Sequence, residues 1–339
     1  MSDIPVIDPT MTPAWDTLDQ LADNFEPDLR KLFADDPNRT QTFTFDAADL
    51  HVDLSKNLVC PTLVGHLLAL AEQTGVLELR DRMFAGEHIN DALMELLIMI
   101  DAAKRASARS ITAVITHYGY SRQERKAAPR EPITAKLVAD LLSVAGIDNA
   151  ICIDLHASAT QGFFDVPVNH MTAMPIFVDY FEKKGFDPAD LCIVSPDVGR
   201  AKEAKKMQLL LDSDIAIMHK DRPRHNQAEI TALIGDVTGK ICIINDDMID
   251  TGGSLVAAAD TLKAKGADCI YACATHGILS GPAFDRIENS CIEEVVVTNT
   301  IPVPLDRQTG KIKVISVAPL LAKTIKNVYE NGSVSGLFA

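Results

Sequence analysis

No C-x-x-C pair occurs among the seven cysteines, at 60, 152, 192, 242, 269, 273 and 291. They are scattered, several lie inside apolar strand-like runs, and they read as reduced core residues. No apolar run approaches a membrane span, and the opening M-S-D-I-P lacks the basic and apolar regions of a secretory leader. An uncleaved, soluble, cytoplasmic chain is expected. A Walker A loop is missing too: the nearest approach, Gly235 to Lys240, has one residue too few between its glycines and no Ser or Thr after the lysine. No G-x-G-x-x-G follows a strand, which removes the main support for a dinucleotide-binding Rossmann domain. Excess basic charge is absent, the net charge being −15. Residues 1–89 hold 16 acids and 6 bases, a balance of −10, so only −5 belongs to the other 250 residues. Nothing in that distribution favours nucleic acid as a partner.

What is present is concentrated in I-C-I-I-N-D-D-M-I-D-T-G-G-S-L, Ile241 to Leu255. The continuous apolar run Ile241 to Ile244 is that of a central parallel strand covered on both faces. Polarity switches on at Asn245, Asp246 and Asp247, which places the carboxylates where the strand's carboxyl end meets solvent, the place where open α/β sheets bind ligands. Thr251, Gly252, Gly253 and Ser254 then lead into an apolar helix whose free N–H groups form a phosphate site. Asp246 and Asp250 flank it, ready to accept from ribose hydroxyls or hold a metal-bound water. A D-D-x-x-D turn can also be a plain helix cap. Strand, acidic pair, glycine turn and helix in this order favour a sugar-phosphate cradle.

The turn resembles the phosphoribosyl diphosphate (PRPP) fingerprint of the type I phosphoribosyltransferase fold, in the form used by ribose-phosphate diphosphokinases. H-Y-G-Y-S-R-Q-E-R-K (His117 to Lys126) looks like that family's ATP-binding stretch, followed by P-R-E-P-I-T-A-K from Pro129. D-L-H-A (Asp154 to Ala157), Q-G-F-F (Gln161 to Phe164), S-P-D-V-G (Ser195 to Gly199), Asp221 to Arg224 and Y-A-C-A-T-H-G (Tyr271 to Gly277) continue the series in family order. The resemblance runs from about Asn90 to the C-terminus.

Each segment has chemical content of its own. Arg122, Gln123, Arg125 and Lys126 follow the strand-like run Ile111 to Ile115 and supply the cations a triphosphate needs. His156 ends the apolar run Ile151 to Ile153, and Asp197 ends Leu191 to Val194, so both project from one sheet edge. The resemblance implies that His156 and Asp197 help place Mg2+, with His156 also beside ATP together with Arg122, Gln123 and Arg125. Lys202, in the charged stretch G-R-A-K-E-A-K-K, reads either as part of a mobile flap or as an exposed amphipathic helix; the resemblance makes it the catalytic lysine, acting with Arg122 and Arg125. Many relatives carry an arginine directly after this lysine. Here Glu203 stands there, and Arg200 is the neighbouring candidate for the missing cation. Asp246, Asp247, Asp250, Thr251, Gly252, Gly253 and Ser254 would hold ribose 5-phosphate. The implied reaction moves the β,γ-diphosphate of ATP to the anomeric hydroxyl of ribose 5-phosphate, giving PRPP and AMP, in a homo-oligomer.

Trp15 to Asn90 resembles instead the beginning of a glucose-6-phosphate isomerase: Leu29-Arg30, Leu32-Phe33-Ala34, Asp36-Pro37-x-Arg39, D-L-S-K-N from Asp53, and M-F-A-G-E-H-I-N from Met83. The isomerase's later acid/base segments are absent. Phe84-Ala85-Gly86-Glu87 is one residue short of the F-S-D-G-E adenine loop of the diphosphokinases and reads as coincidence. Val64, Leu67, Leu68 and Ala71 have helical spacing. The expected architecture is α/β, with two phosphoribosyltransferase-type parallel-sheet domains, the first truncated and preceded by a mainly helical acidic segment: 1–89, then 90–170 with the C-terminal helix (314–339) returning to it, then 171–313. Two other readings stay open. One is a non-catalytic regulatory subunit lacking the adenine loop. The other is a base phosphoribosyltransferase, against which R-Q-E-R and D-L-H-A count.

Overall fold

The structure, a computed structural model, describes residues 9–22, 28–47, 50–76, 91–126, 130–224, 227–308, 310–330 and 332–334. Phe84 to Glu87 lie outside the described residues, as does Pro129. The chain divides into two compact units, Met1–Asp91 and Ala92–Ala339.

The first unit contains α1 (Pro13–Ala22), α2 (Leu29–Asp35), a short α3 (Arg39–Thr42), an antiparallel hairpin of β1 (Thr44–Ala47) and β2 (Leu50–Asp53), and α4 (Pro61–Gln73). The spacing Val64, Leu67, Leu68, Ala71 lies inside α4. Asp28 caps α2 by accepting from the backbone N–H groups of Arg30 and Lys31. Gln73 Oε1 accepts from Ala14 N at 2.9 Å, joining the two longer helices. Arg39 is the unit's anchor, only 1% exposed. Its Nε donates to Ser55 O at 2.7 Å, and its Nη2 donates to Asn57 O at 2.7 Å and Val59 O at 2.8 Å. The rings of Phe43 and Phe33 lie 4.7 and 5.7 Å from the guanidinium carbon. One planar cation thereby satisfies carbonyls that an ammonium could not reach together.

The second unit opens with α5 (Asp91–Arg105) and a three-stranded parallel sheet of β3 (Thr112–Ile115), β4 (Asn149–Ile153) and β5 (Val168–Met171), with α6 (Thr134–Ala145) between its first two strands. After α7 (Met174–Glu182) comes a seven-stranded sheet built from β6 (Leu191–Ser195), β7 (Asp214–Arg224), β8 (Gln227–Ile234), β9 (Ile241–Ile249), β10 (Cys269–Gly277), β11 (Glu294–Thr298) and β12 (Ile312–Ile315). Its order is β12-β11-β10-β9-β6-β7-β8, parallel except for the antiparallel β7–β8 edge. Its helices are α8 (Ala201–Leu211), α9 (Gly253–Ala264), α10 (Ala283–Glu288) and the terminal α11 (Ala318–Tyr329).

Strand order fixes where a ligand can sit. From β6 the chain moves outward to β7, whereas from β9 it moves the other way to β10 and β11. The β6/β9 pair is therefore the switch point, and the crevice beyond its carboxyl ends is the natural ligand site. Asp197 follows β6 and the Asp250–Ser254 turn follows β9. The two sheets share one apolar cluster: Ile151, Ile153 and Met171 of the first pack with Leu191, Ile193, Ile243 and Val296 of the second, and Leu320, Leu321 and Val328 of α11 border it.

One local expectation is corrected, and one choice left open by the sequence is decided. β9 does not stop at Asn245 but runs through both aspartates to Ile249, because β10 pairs with it as far as Gly277. Asp247 is consequently 3% exposed instead of standing in solvent. The Lys202 segment is helix: α8 starts directly after the 3-10 turn Val198–Arg200 and buries Ala204, Met207 and Leu211 at helical spacing. That apolar stripe outweighs the charges on its outer face.

Candidate active site

Successive residues of β9 point to opposite sides, so Asp246 and Asp247 meet different neighbours. Asp247 Oδ2 lies 2.7 Å from His156 Nδ1. A carboxylate only accepts, so Nδ1 carries the proton and Nε2 is left outward for a ligand. This contact brings the D-L-H-A turn after β4 onto β9. Burial works against ionisation of Asp247, but the His156 hydrogen bond and the charge of Arg200 outweigh it and hold the carboxyl below the usual range. The hydrogen bond that His156 donates to Asp247 in turn raises His156. Asp246 is pushed the other way, up to about 7, by burial and by the charge of Asp247 beside it. Its Oδ1 accepts from Asp247 N at 2.9 Å. Splitting of this sort leaves one carboxylate firmly charged and one able to exchange a proton near neutrality.

Asp250 is the second junction. Its Oδ2 accepts from Arg122 Nη1 at 2.9 Å, and its Oδ1 from Ser280 Oγ. Beyond it, Gly252 takes a left-handed φ of +74° as the cap of α9, a conformation that costs glycine nothing and other residues about 1–2 kcal/mol. Val256 N closes the first helical bond onto Gly252 O. The earlier N–H groups, of Gly253, Ser254 and Leu255, precede that bond and are the free donors of a helix N-terminus.

The remaining expected residues distribute as follows. Asp197 caps its own turn, accepting Arg200 N on Oδ1 at 3.0 Å, which leaves Oδ2 uncommitted by that bond. Gln123 and Arg125 are exposed; the backbone N–H of Gln123 closes a turn onto Tyr120 O, and Arg125 Nε pairs with Glu124 at 3.4 Å. Of the cations in G-R-A-K, Arg200 is among the largest electrostatic influences on both Asp246 and Asp247, and Lys202 is exposed on the first turn of α8. Arg200 Nε is buried with no hydrogen-bond partner among the described residues, the condition of a donor awaiting an anion.

Beneath these side chains runs a polar seam whose members His117, Asp154, Thr275 and His276 lie in segments quoted from the sequence, though none of the four had been given a role. Asp154, strained at φ +39°, accepts from Thr275 Oγ1 at 2.7 Å and from Ala173 N at 2.8 Å. His276, 2% exposed, sets Nε2 3.1 Å from the carbonyls of Ile153 and Asp154 and Nδ1 3.0 Å from Thr300 Oγ1. Thr116 Oγ1 donates to Thr300 O at 2.9 Å, and the ring of His117 meets that of His276 at 4.6 Å. Burial, His276 and Arg122 hold His117 down to about 4, so it stays neutral. The seam ties β3 and β4 of the first sheet to β10 and β11 of the second, which is why Arg122 and His156 stand beside β9. Thr116 and Thr300 stand outside every quoted segment, and nothing in the sequence showed that the other members meet.

Two family models match the chain: the N-terminal domain of ribose phosphate pyrophosphokinase over residues 78–146, and the phosphoribosyl synthetase-associated domain over residues 192–339. The first begins ahead of Asn90 and so takes in Phe84 to Glu87. A ribose-phosphate pyrophosphokinase of Clostridium acetobutylicum is 53% identical over 252 residues, 74% of this chain and 79% of the relative. One from Bacillus cereus is 53% identical over 250 residues, 74% of this chain and 78% of the relative. The crystal structure of phosphoribosylpyrophosphate synthetase from Mycobacterium smegmatis superposes with a TM-score of 0.66 at 46% identity, covering 71% of this chain and 78% of that one. The chain belongs to the ribose-phosphate pyrophosphokinase family.

Proposed function

We infer that the second unit transfers the β,γ-diphosphate of ATP to the 1-hydroxyl of ribose 5-phosphate, yielding PRPP and AMP. The observation that carries this reading is the meeting of two clusters: Arg122 with Asp250, and His156 with Asp247. A nucleotide held by the first member of each pair lies beside a sugar held by the second, which is what in-line attack of a ribose hydroxyl on the β-phosphorus requires.

In this reading the N–H groups at the start of α9 bind the 5-phosphate, and Thr251 and Ser254 add hydroxyl donors. Asp246 and Asp250 accept from the ribose hydroxyls, and Asp246, raised toward neutrality, takes up proton density from the attacking side. Arg122, Gln123, Arg125 and the outward Nε2 of His156 face the triphosphate. Arg200, and Lys202 from the outer turn, offset charge that develops on the transferred diphosphate.

Mg2+ is the cofactor of this reading. Among the described residues no group of three or more His, Cys, Asp or Glu forms a cage. Mg2+ is a hard ion that keeps several waters and binds mainly through substrate phosphates. His156 Nε2 and Asp197 Oδ2 are the atoms that would hold it, and when bound it supplies charge neutralisation of the phosphate oxygens. A homo-oligomer in the cytoplasm belongs to the same reading. No helix among the described residues is long and apolar enough to cross a membrane. The Arg39 anchor ties D-P-N-R to D-L-S-K-N, two of the segments that resemble the beginning of an isomerase, and in this reading the front unit is an isomerase-like fragment without that enzyme's chemistry.

AMP release from ATP in the presence of Mg2+ and ribose 5-phosphate tests the function. Formation of AMP and PRPP in equal amounts, dependent on ribose 5-phosphate and greatly reduced in Arg122→Ala, is the expected result. Ribose 5-phosphate binding without AMP release would instead support the regulatory subunit.

A further inference from the structure

Residues 279–286, L-S-G-P-A-F-D-R, lie outside every segment so far given a role, yet they touch each successive residue of the turn after β9. Leu279 N donates to Ile249 O at 3.1 Å. Ser280 Oγ donates to Asp250 Oδ1. Arg286 Nη1 donates to Thr251 O at 3.0 Å. A Cβ on Gly252 would stand 3.4 Å from Ala283 Cα, and one on Gly253 only 3.3 Å from Arg286 Nη1. Gly252 is thus explained by its left-handed backbone conformation, with Ala283 in ordinary contact beside it, whereas a side chain at Gly253 would press on the Arg286 guanidinium.

The consequence follows from the geometry of one peptide. In a trans peptide the C=O of residue i and the N–H of residue i+1 point in opposite directions across a rigid plane. Drawing the Thr251 carbonyl toward Arg286 therefore turns the Gly252 N–H toward the opposite, ligand side, where it joins the free donors of α9. Were that plane to flip, a carbonyl dipole would replace a donor facing the phosphate, exchanging attraction for repulsion. The guanidinium is suited to this task because it is always charged and its planar fork resists rotation once one arm is bonded.

We propose that Arg286 is a positioning residue for ribose-phosphate binding, holding the Thr251–Gly252 peptide in its donor-forward orientation from the side away from the ligand. The inference rests on the reading of 250–254 as the ribose-phosphate cradle. It assigns Arg286 to the sugar half of the site, since its hydrogen bond to the turn is to Thr251 and, among the described residues, it makes no hydrogen bond to Arg122, Gln123, Arg125 or His156.

The test is calorimetric titration of ribose 5-phosphate into the nucleotide-free protein, together with steady-state KM values for ribose 5-phosphate and for MgATP, in the parent and in Arg286→Ala, Arg286→Lys and Arg286→Gln. For Arg286→Ala, Kd and KM for ribose 5-phosphate rise about tenfold, the loss of one charge-assisted hydrogen bond, while KM for MgATP stays within about twofold. Arg286→Lys recovers part of the affinity. If Arg286→Ala does not fold by circular dichroism, Arg286→Gln, which keeps a shorter polar stem but neither the charge nor the reach to Thr251 O, carries the same comparison. A folded variant with unchanged ribose 5-phosphate affinity, or with both KM values raised together, overturns the assignment. Failure of the parent protein to bind ribose 5-phosphate overturns the cradle itself, and is thereby told apart from failure of Arg286 alone.

Discussion

Arg122 Nη1 and Asp250 Oδ2, 128 residues apart in the chain, stand 2.9 Å from each other across the crevice. Each is a group whose proposed ligand is also charged or polar, and the contact sets the nucleotide-facing cation beside the sugar-facing carboxylate. Both are substantially exposed, 49% and 35% by side chain, and such a pair contributes only about 0–1 kcal/mol to folding. Arg122→Ala is expected to leave the denaturation midpoint nearly unchanged while lowering PRPP formation by about 100-fold, the cost of one donor to developing phosphate charge. Urea unfolding alongside AMP release separates the two effects; equal loss of stability and activity would assign the pair a structural role instead.

Asp246 gives the site a stability signature. Burial and the neighbouring Asp247 raise its carboxyl to about 7 from 3.8, so between those values the folded chain holds a proton that the unfolded chain has released. Stability contributed by this proton is full below pH 3.8 and is lost as pH rises through about 7. Asp246→Asn removes the penalty. We expect the variant to gain stability over the parent at pH 8 but not at pH 4, while losing affinity for ribose 5-phosphate. A chemical-denaturation series across that range checks both signs, and a gain of equal size at pH 4 would show that the carboxyl is not the cause.

The pairing of Asp247 with His156 predicts a different window. His156 is raised above 6.5 by this hydrogen bond, so its contribution is full below that value and disappears as pH rises through its folded value. Asp247 is lowered below 3.8, so its contribution is full above that value and disappears in acid. Coupling between them is therefore greatest from about pH 4 to 6.5. In Asp247→Asn the His156 imidazole, followed by its carbon-bound protons in NMR, should titrate at lower pH than in the parent; an unmoved midpoint would dissociate the two groups.

Much of this site was legible in the sequence because its parts are local. The apolar run, the acidic pair and T-G-G-S are contiguous, and strand, turn and helix follow from them directly. What could not be read was which parts touch. Asp247 looked like a solvent-facing residue because polarity begins at Asn245, but pairing with β10 carries β9 on to Ile249 and buries it. Its partner His156 lies 91 positions away, a distance only the packing of two sheets can close. The charged stretch around Lys202 concealed an apolar stripe of Ala204, Met207 and Leu211 at intervals of three and four. Arg286, one arginine in an unremarkable amphipathic segment, carries no local signal at all.

The Arg39 anchor allows a test of the front unit by itself. Removing a fully buried fork strands the carbonyls of Ser55, Asn57 and Val59, each at a cost of about 1–3 kcal/mol unless water enters. Arg39→Met is expected to open the segment from 28 to 60 to protease, and Arg39→Lys to do nearly the same, since one ammonium cannot reach three carbonyls in fork geometry. Limited proteolysis followed by mass analysis of the cut sites reads this directly. Protection retained in Arg39→Lys would mean that charge, rather than the fork, holds the unit.

Arg200 and Lys202 offer the sharpest division of roles, because they sit two residues apart with opposite surroundings. Arg200 bears a buried, unpartnered Nε, and its charge acts on both carboxylates of β9, whereas Lys202 is exposed on the outer turn of α8. Charge interactions weaken with distance and with solvent screening, so the arginine is the cation that the site senses. Arg200→Ala should therefore raise the Asp246 carboxyl further and move the acid limb of the activity profile to higher pH, with a fall in kcat. Lys202→Ala should leave that limb in place, and any loss of kcat it brings would come from contact with the transferred diphosphate alone. A pH profile of kcat for the two variants decides between them: a shifted limb in Lys202→Ala and none in Arg200→Ala would reverse the assignment and restore the lysine as the principal cation of the segment.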